Sequence, residues 1–209
     1  MIPLPRKHHY IPEFYSKWWA GPSGQLECWV RPTPTKIIVR RAYPSEVGWV
    51  RNLYWSPEED AREAQRIELM LFQRLDHDAA ISLRKLNEPV VDYLDSKDTS
   101  AWSTFIMSLF HRTPDNLAGF KTHGRLVMRN ILPSLKQQLK GGKGPGKHKS
   151  MDEYEANLND AELERVVLRC LPSLVYSKNV GQFFTDMHWT HIDLPPRRAQ
   201  ASFVGRRRC

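Results

Sequence analysis

The sequence predicts an α+β fold in which a small N-terminal antiparallel sheet or hairpin packs on a mostly helical body. Residues 1–55 are rich in aromatic residues, proline and glycine, and they contain two short β-branched runs. From residue 56 onward, apolar side chains recur at three- and four-residue steps, which is typical of helices with one buried face. Apolar residues make up 41% and charged residues 26% of the 209 residues, a composition that allows one folded core.

The predicted hairpin follows a strong turn signal at Gly21–Gly24. Leu26–Val30 and Lys36–Arg40 are its expected strands, because both runs contain β-branched or aromatic residues between polar flanks. Pro32 and Pro34 are expected to break the span between the two strands, since proline cannot donate a backbone hydrogen bond.

The first long helix is predicted to begin at Ser56, with Pro57 at its first position and Glu59 completing a capping box. Its apolar pattern continues to Leu86. Asp76-His77-Asp78 is expected to interrupt the helix, with the second aspartate capping a continuation.

Further elements are predicted toward the C-terminus: helices over Ser100–His111, over Pro114–Leu139, from Asn159 or Asp160 to Val175 and around Gly181–Met187, and a strand over Trp189–Asp193. Pro133 should kink or split the second of these helices. The sequence thus predicts one domain over residues 1–194, β-rich to about residue 55 and mainly helical afterwards. A flexible loop is expected at 141–150, and a disordered basic tail at 195–209.

The formal net charge of +8 is concentrated in one part of the chain. No Asp or Glu occurs between Asn116 and Met151, and an acidic run over Asp152–Glu164 follows directly. Such a stretch attracts polyanions or an anionic membrane surface, or it forms a solvated helix face that pairs with the acidic run. The eight cations predicted to bind nucleic acid are Lys121, Arg125, Arg129, Lys136, Lys140, Lys143, Lys147 and Lys149.

Composition also excludes several classes of protein. No uncharged apolar run approaches the ~18 residues of a membrane-spanning helix, and the N-terminus lacks the apolar core of a secretory signal. The three cysteines, Cys28, Cys170 and Cys209, are widely spaced, which argues against a disulfide framework. We therefore expect a cytoplasmic protein without a transmembrane segment.

Two groups of histidines are candidates for chemistry. His8 and His9 could bind a divalent metal ion or act as a general base together with Glu68, although histidines in a folded N-terminal arm also serve as structural hydrogen-bonding groups. Asp186, His188 and His191 combine ligand types that suit zinc or manganese. Arg112, at a predicted helix end, is a candidate anion-binding residue.

The opening run from His8 to Tyr15, His-His-Tyr-Ile-Pro-Glu-Phe-Tyr, resembles the N-terminal signature of a bacterial family, domain of unknown function 4238. Arg112-Thr113-Pro114 is similar to the punctuation that follows an apolar helix in that family. The resemblance covers roughly residues 6–194 and implies a strand hairpin followed by a helical middle, but no activity. Because the segment Ala201–Cys209 departs from the family pattern, we expect a truncated or altered C-terminus.

Three hypotheses follow for the function. The first is a protein that binds nucleic acid or another polyanion through the basic stretch. The second is a metal-assisted hydrolase that uses the N-terminal histidine pair and a divalent metal ion, with a nuclease as one candidate subclass. The third is an inactive product of a truncated gene. The sequence makes no prediction about the oligomeric state.

Overall fold

The computed structural model describes residues 6–56, 61–87, 94–138, 148 and 150–187. It is mostly helical and has two small antiparallel sheets near the N-terminus, so the predicted α+β class is confirmed. The strands are β1 (Lys7–His9), β2 (Leu26–Thr33), β3 (Lys36–Ala42) and β4 (Trp49–Arg51). The helices are α1 (Glu13–Ser16), α2 (Ala61–Ala64), α3 (Gln73–Leu86), α4 (Ser96–Arg112), α5 (Pro114–Gln138), α6 (Met151–Ala156), α7 (Asp160–Val175) and α8 (Lys178–Thr185).

The four strands form two separate sheets of two strands each. β1 pairs with β4, which places His8 opposite Val50. The strand β4 was not predicted from the sequence. β2 pairs with β3, with Trp29 opposite Val39, so the predicted hairpin is confirmed.

The expectation that Pro32 ends the first hairpin strand is wrong, because this proline lies within β2. The register of β2 against β3 shifts between Val30 and Thr33. Irregular pairing tolerates a proline, since the ladder lacks a regular hydrogen bond at that point. The hairpin is therefore longer at its tip than the sequence predicted.

The helical stretch from Ala61 to Leu86 contains a π-helical segment, Ile67–Phe72, between α2 and α3. The backbone N–H of Gln73 donates to the carbonyl of Glu68, five residues earlier. α3 then runs without interruption through Asp76-His77-Asp78, so the predicted helix break there is wrong. The predicted capping residues Pro57 and Glu59 lie outside the described residues.

Three later helices test the sequence predictions directly. α4 starts at Ser96 and not at Ser100, because Asp95 caps it by accepting a hydrogen bond from the Asp98 N–H at 2.8 Å. α5 is one helix that continues through Pro133, so it is not split. α7 starts at Asp160, one of the two predicted first residues, and Asn159 caps it, while α6 was not expected.

Several predictions fall outside the described residues. These are the strand at Trp189–Asp193, nearly all of the flexible loop at 141–150 and the basic tail at 195–209. Among the described helices, none is both long and apolar enough to cross a membrane.

The main core lies where α3, α4, α5 and α7 pack together with the N-terminal segment. α5 and α7 approach closely at Gly124, where an added Cβ would lie 2.5 Å from a methyl group of the buried Val167. Core side chains without measurable exposure include Tyr54, Phe72, Phe105 and Leu171. This core fixes the position of the polar residues described next.

Candidate acid–base site

The extended backbone of β1 places two adjacent histidines on opposite faces. His8 is fully buried, whereas the side chain of His9 is 19% exposed. The carbonyl of Gly48 accepts hydrogen bonds from the N–H groups of Tyr10 and Ile11, which anchors the following residues. Gly48 has a φ of +68°, and a Cβ there would lie 2.9 Å from the Cβ of Ile11, so this position requires glycine.

His8 supports the position of Tyr54. The Tyr54 N–H donates to His8 Nδ1 at 2.9 Å, and the two rings stack with centroids 5.5 Å apart and planes 9° apart. Because Nδ1 accepts this hydrogen bond, neutral His8 carries its proton on Nε2. His8 thus uses Nδ1 in a structural hydrogen bond, and its assignment as a catalytic residue stays a prediction.

Tyr54 connects the N-terminal sheet to the end of α4. Its hydroxyl donates to the Arg112 carbonyl at 2.8 Å, and its ring lies 4.4 Å from the ring of Phe72. The Arg112 guanidinium also lies over Phe72, 4.3 Å from the ring centroid. Burial raises the pKa of Tyr54, so its hydroxyl stays protonated and remains a donor.

The fully buried side chain of Arg112 binds Asp76 of α3 through both terminal nitrogens, at 2.7 and 3.2 Å. This two-pronged geometry is among the strongest that a guanidinium and a carboxylate form. Arg112 was predicted to bind an external anion, but in this structure its anion is the Asp76 carboxylate. The Asp76 side chain is 22% exposed, so the pair extends toward the surface.

Glu68 lies on the π-helical segment and is 9% exposed. Its Oε2 atom is buried and has no hydrogen-bond partner among the described residues. Burial raises the pKa of Glu68 to about 7, against an opposing effect of the Arg112 charge, while the Asp76 charge raises it further. A carboxyl group of this kind is partly protonated at neutral pH. We call Tyr54, Glu68, Asp76 and Arg112 the buried polar centre.

His9 lies at the edge of the buried polar centre. Burial lowers the pKa of His9, Glu13 opposes this effect, and the charges of Asp76 and Arg112 also reach the imidazole. His9 Nε2 lies 3.6 Å from Glu13 Oε1, and Glu13 in turn lines a cleft of about 450 Å³ together with Lys17. The described residues that line this cleft include neither His9 nor a member of the buried polar centre.

The centre thus combines a neutral imidazole at its edge with a partly protonated carboxyl inside it. Environments that move two titratable groups away from their ordinary pKa values define candidate acid and base roles. His9 is the candidate base and Glu68 the candidate acid. Arg112 and Asp76 are the charged neighbours that Glu68 and His9 share.

The basic stretch is neutralised where the structure describes it. Its cations on α5 pair with the acidic run, which supplies a partner within 4 Å for each of them. These residues therefore do not provide the expected surplus of positive charge. Their assignment to nucleic-acid binding stays a prediction, and the ion pairs argue against it. The ion pairs are Lys121–Glu164, Arg125–Glu164, Arg129–Asp160, Lys136–Asp152 and Lys136–Glu155.

The remaining predicted residues are only partly described. Lys140, Lys143, Lys147 and Lys149 lie outside the described residues, as do His188 and His191. Asp186, at the end of α8, accepts a hydrogen bond from Gln182 at 2.7 Å. In the part of the chain that the structure describes, no group of three His, Cys, Asp or Glu side chains is arranged to hold a metal ion.

Sequence reasoning missed two members of the buried polar centre. Tyr54 lies in an aromatic-rich stretch without a motif, and Asp76 was interpreted as part of a helix break. A helical projection would have placed Asp76 on the same face as Glu68 and Phe72, because these residues recur at four-residue steps.

The described residues define a small α+β protein whose N-terminal sheet and helical body enclose a buried polar centre. Over residues 7–186, the sequence matches the model of the family DUF4238, whose description is a protein of unknown function. The match covers most of the chain, and the chain belongs to this family. No curated protein and no solved structure shows significant similarity.

Proposed function

We propose that this protein is an acid–base enzyme of the hydrolase class, with His9 as general base and Glu68 as general acid. One observation carries the proposal: Glu68 is a buried carboxyl with an oxygen that has no hydrogen-bond partner among the described residues, and the charges of a buried Arg–Asp pair act on it. Keeping such a group buried without a hydrogen bond costs free energy, and proteins concentrate such strain at functional sites. The π-helical segment that carries Glu68 supports the proposal, because π-bulges are frequent at functional sites.

The proposed reaction balances its protons within the two residues. His9 takes a proton from a water molecule, the resulting hydroxide attacks the electrophilic atom of the substrate, and the bond to the leaving group breaks. Glu68 donates its proton to the leaving group, and proton exchange with solvent restores both residues. Asp76 holds Arg112 in place, so the guanidinium presents a fixed positive charge to the centre.

The hypothesis of metal assistance becomes an arm of the test. Hydrolysis of bis(p-nitrophenyl) phosphate and p-nitrophenyl acetate is measured with and without Mn²⁺, from pH 5 to pH 9. We expect a rate that rises as His9 loses its proton and falls as Glu68 ionises near pH 7. His9→Ala and Glu68→Gln should each lower the rate by roughly 100-fold, the usual contribution of a proton-transfer group.

Matched variants separate chemistry from folding. His123→Ala removes an exposed histidine of α5, and Glu63→Gln neutralises an exposed glutamate of α2. Both controls should retain the wild-type rate. If the folded wild-type protein hydrolyses neither ester above the blank, or if Glu68→Gln matches wild type, the proposal is wrong. An inactive protein would produce the first of these results.

A further inference from the structure

We infer that the hairpin of β2 and β3 is an arm that binds double-stranded nucleic acid. The inference does not rest on the proposed acid–base activity, because no hairpin residue belongs to the buried polar centre. The residues that carry it differ from the basic stretch of α5.

The hairpin stands away from the rest of the fold. Every residue from Trp29 to Arg41 is exposed, on both faces of the two-stranded ribbon. The extensive contacts of β2 and β3 are with each other. An eight-residue strand such as β2 reaches roughly 25 Å. A ribbon that leaves both faces open in this way is suited to insertion into a partner.

Positive charge on the hairpin is not neutralised by ion pairs with the part of the chain that the structure describes. Between Leu26 and Ala42 the ribbon carries four cations and one acid, Glu27, which gives a net charge of 4 − 1 = +3. None of the four cations forms an ion pair with a described residue, in contrast to the paired cations of α5. The four cations are Arg31, Lys36, Arg40 and Arg41.

Apolar and aromatic side chains lie between these cations. Trp29, 47% exposed, faces Val39 across the ribbon, and Val30 faces Ile38 on the opposite side. An indole ring can contact base edges or sugars in a groove of the duplex, while arginine and lysine neutralise the flanking phosphates. A major groove about 12 Å wide admits a two-stranded β-ribbon, so the dimensions agree.

Charge also distinguishes nucleic acid from a second copy of this chain. Two hairpins that packed face to face would bring a net charge of +3 against +3, and Glu27 is the one acid that each ribbon offers to the facing cations. A polyanion removes this repulsion and releases counterions. The hairpin therefore fits a nucleic-acid duplex better than it fits itself.

The test measures fluorescence anisotropy of a labelled 20-base-pair DNA duplex with the full-length protein, from about 50 to 300 mM salt. The hairpin variant Arg31→Gln/Lys36→Gln/Arg40→Gln is compared with the α5 variant Lys121→Gln/Arg129→Gln/Lys136→Gln, which removes the same charge. Circular dichroism and thermal melting establish that each variant is folded. Trp29→Ala is a fourth protein that keeps every charge.

We expect the hairpin variant to bind at least tenfold more weakly and to reduce the slope of log affinity against log salt by roughly 2 to 3. The α5 variant should change affinity less than about threefold, since distant charges are screened. Trp29→Ala should weaken binding with an unchanged salt slope, because it removes contact area in the groove and no charge.

The inference is wrong if wild type does not bind the duplex at about 50 mM salt, or if the hairpin variant binds like wild type. An equal loss in the α5 variant would also overturn it, because the effect would then follow net charge alone. A dimer in light scattering that Trp29→Ala dissociates, without DNA binding, would identify a second copy as the occupant. Binding to phosphatidylserine vesicles without DNA binding would identify a membrane surface.

Discussion

Replacing Glu68 by glutamine should stabilise the protein, and more so at alkaline pH. Burial raises the pKa of this carboxyl from about 4.5 to about 7. Between these two pH values the folded state holds a proton that the unfolded state releases. The contribution of Glu68 to the free energy of unfolding is therefore fully present below pH 4.5 and is lost as the pH rises to about 7. The difference between the two pKa values corresponds to roughly 3 kcal/mol.

The assay is urea denaturation of wild type and Glu68→Gln at pH 5 and pH 8.5. The glutamine has no charge to ionise, so its stability should not carry this pH dependence. The free energy of unfolding of the variant minus that of wild type should increase by roughly 2 to 3 kcal/mol from pH 5 to pH 8.5. Comparing the two proteins cancels the titration of the other groups.

Glu63→Gln is the matched control, because its carboxylate is half exposed and lies five residues earlier in the same helical stretch. Its effect should stay within about 0.5 kcal/mol at both pH values. A stability difference for Glu68→Gln that is the same at pH 5 and pH 8.5 would refute the reasoning. Glu68 would then have an ordinary pKa and no role as an acid at neutral pH.

Two further predictions concern packing. Asp76→Asn leaves the buried Arg112 guanidinium without its charge partner and should lower the free energy of unfolding by about 3–5 kcal/mol in urea denaturation. The double variant Asp76→Asn/Arg112→Met should recover much of this loss, and equal stability of the two variants would contradict the buried pair. Gly124→Ala should destabilise the protein by about 1–3 kcal/mol in thermal unfolding, because the new Cβ would clash with Val167. Gly119→Ala, which has open space around it, should stabilise the protein by up to about 1 kcal/mol. A stabilising Gly124→Ala would show that α5 and α7 are not in close contact.

Local signals in the sequence predicted the elements that local chemistry determines. The hairpin, the extent of α7 and the α+β class follow from β-branched runs, turn signals and helical periodicity. The pairing of β1 with β4 could not be predicted in the same way, because 40 or so residues separate the two strands and neither is long enough to show a pattern.

The candidate site shows the same division. Glu68, Arg112 and the histidine pair were identified as residue types, but their relation depends on long-range contacts, such as the bond between Tyr54 and Arg112. Asp76 was misinterpreted because an aspartate inside a helix resembles a cap until its partner from another helix is known. For α5, the acidic run that follows in the sequence already indicated that its cations would be neutralised. Ion pairs between α5 and the neighbouring helix α7 neutralise both groups of charges.

The most direct test of the buried polar centre is an NMR titration of the side-chain carboxyl carbon of Glu68, assigned by its loss in Glu68→Gln. The account predicts a midpoint near pH 7 for this signal. A single midpoint near pH 4.5 would mean that Glu68 is solvated or directly paired, and it would contradict the central claim.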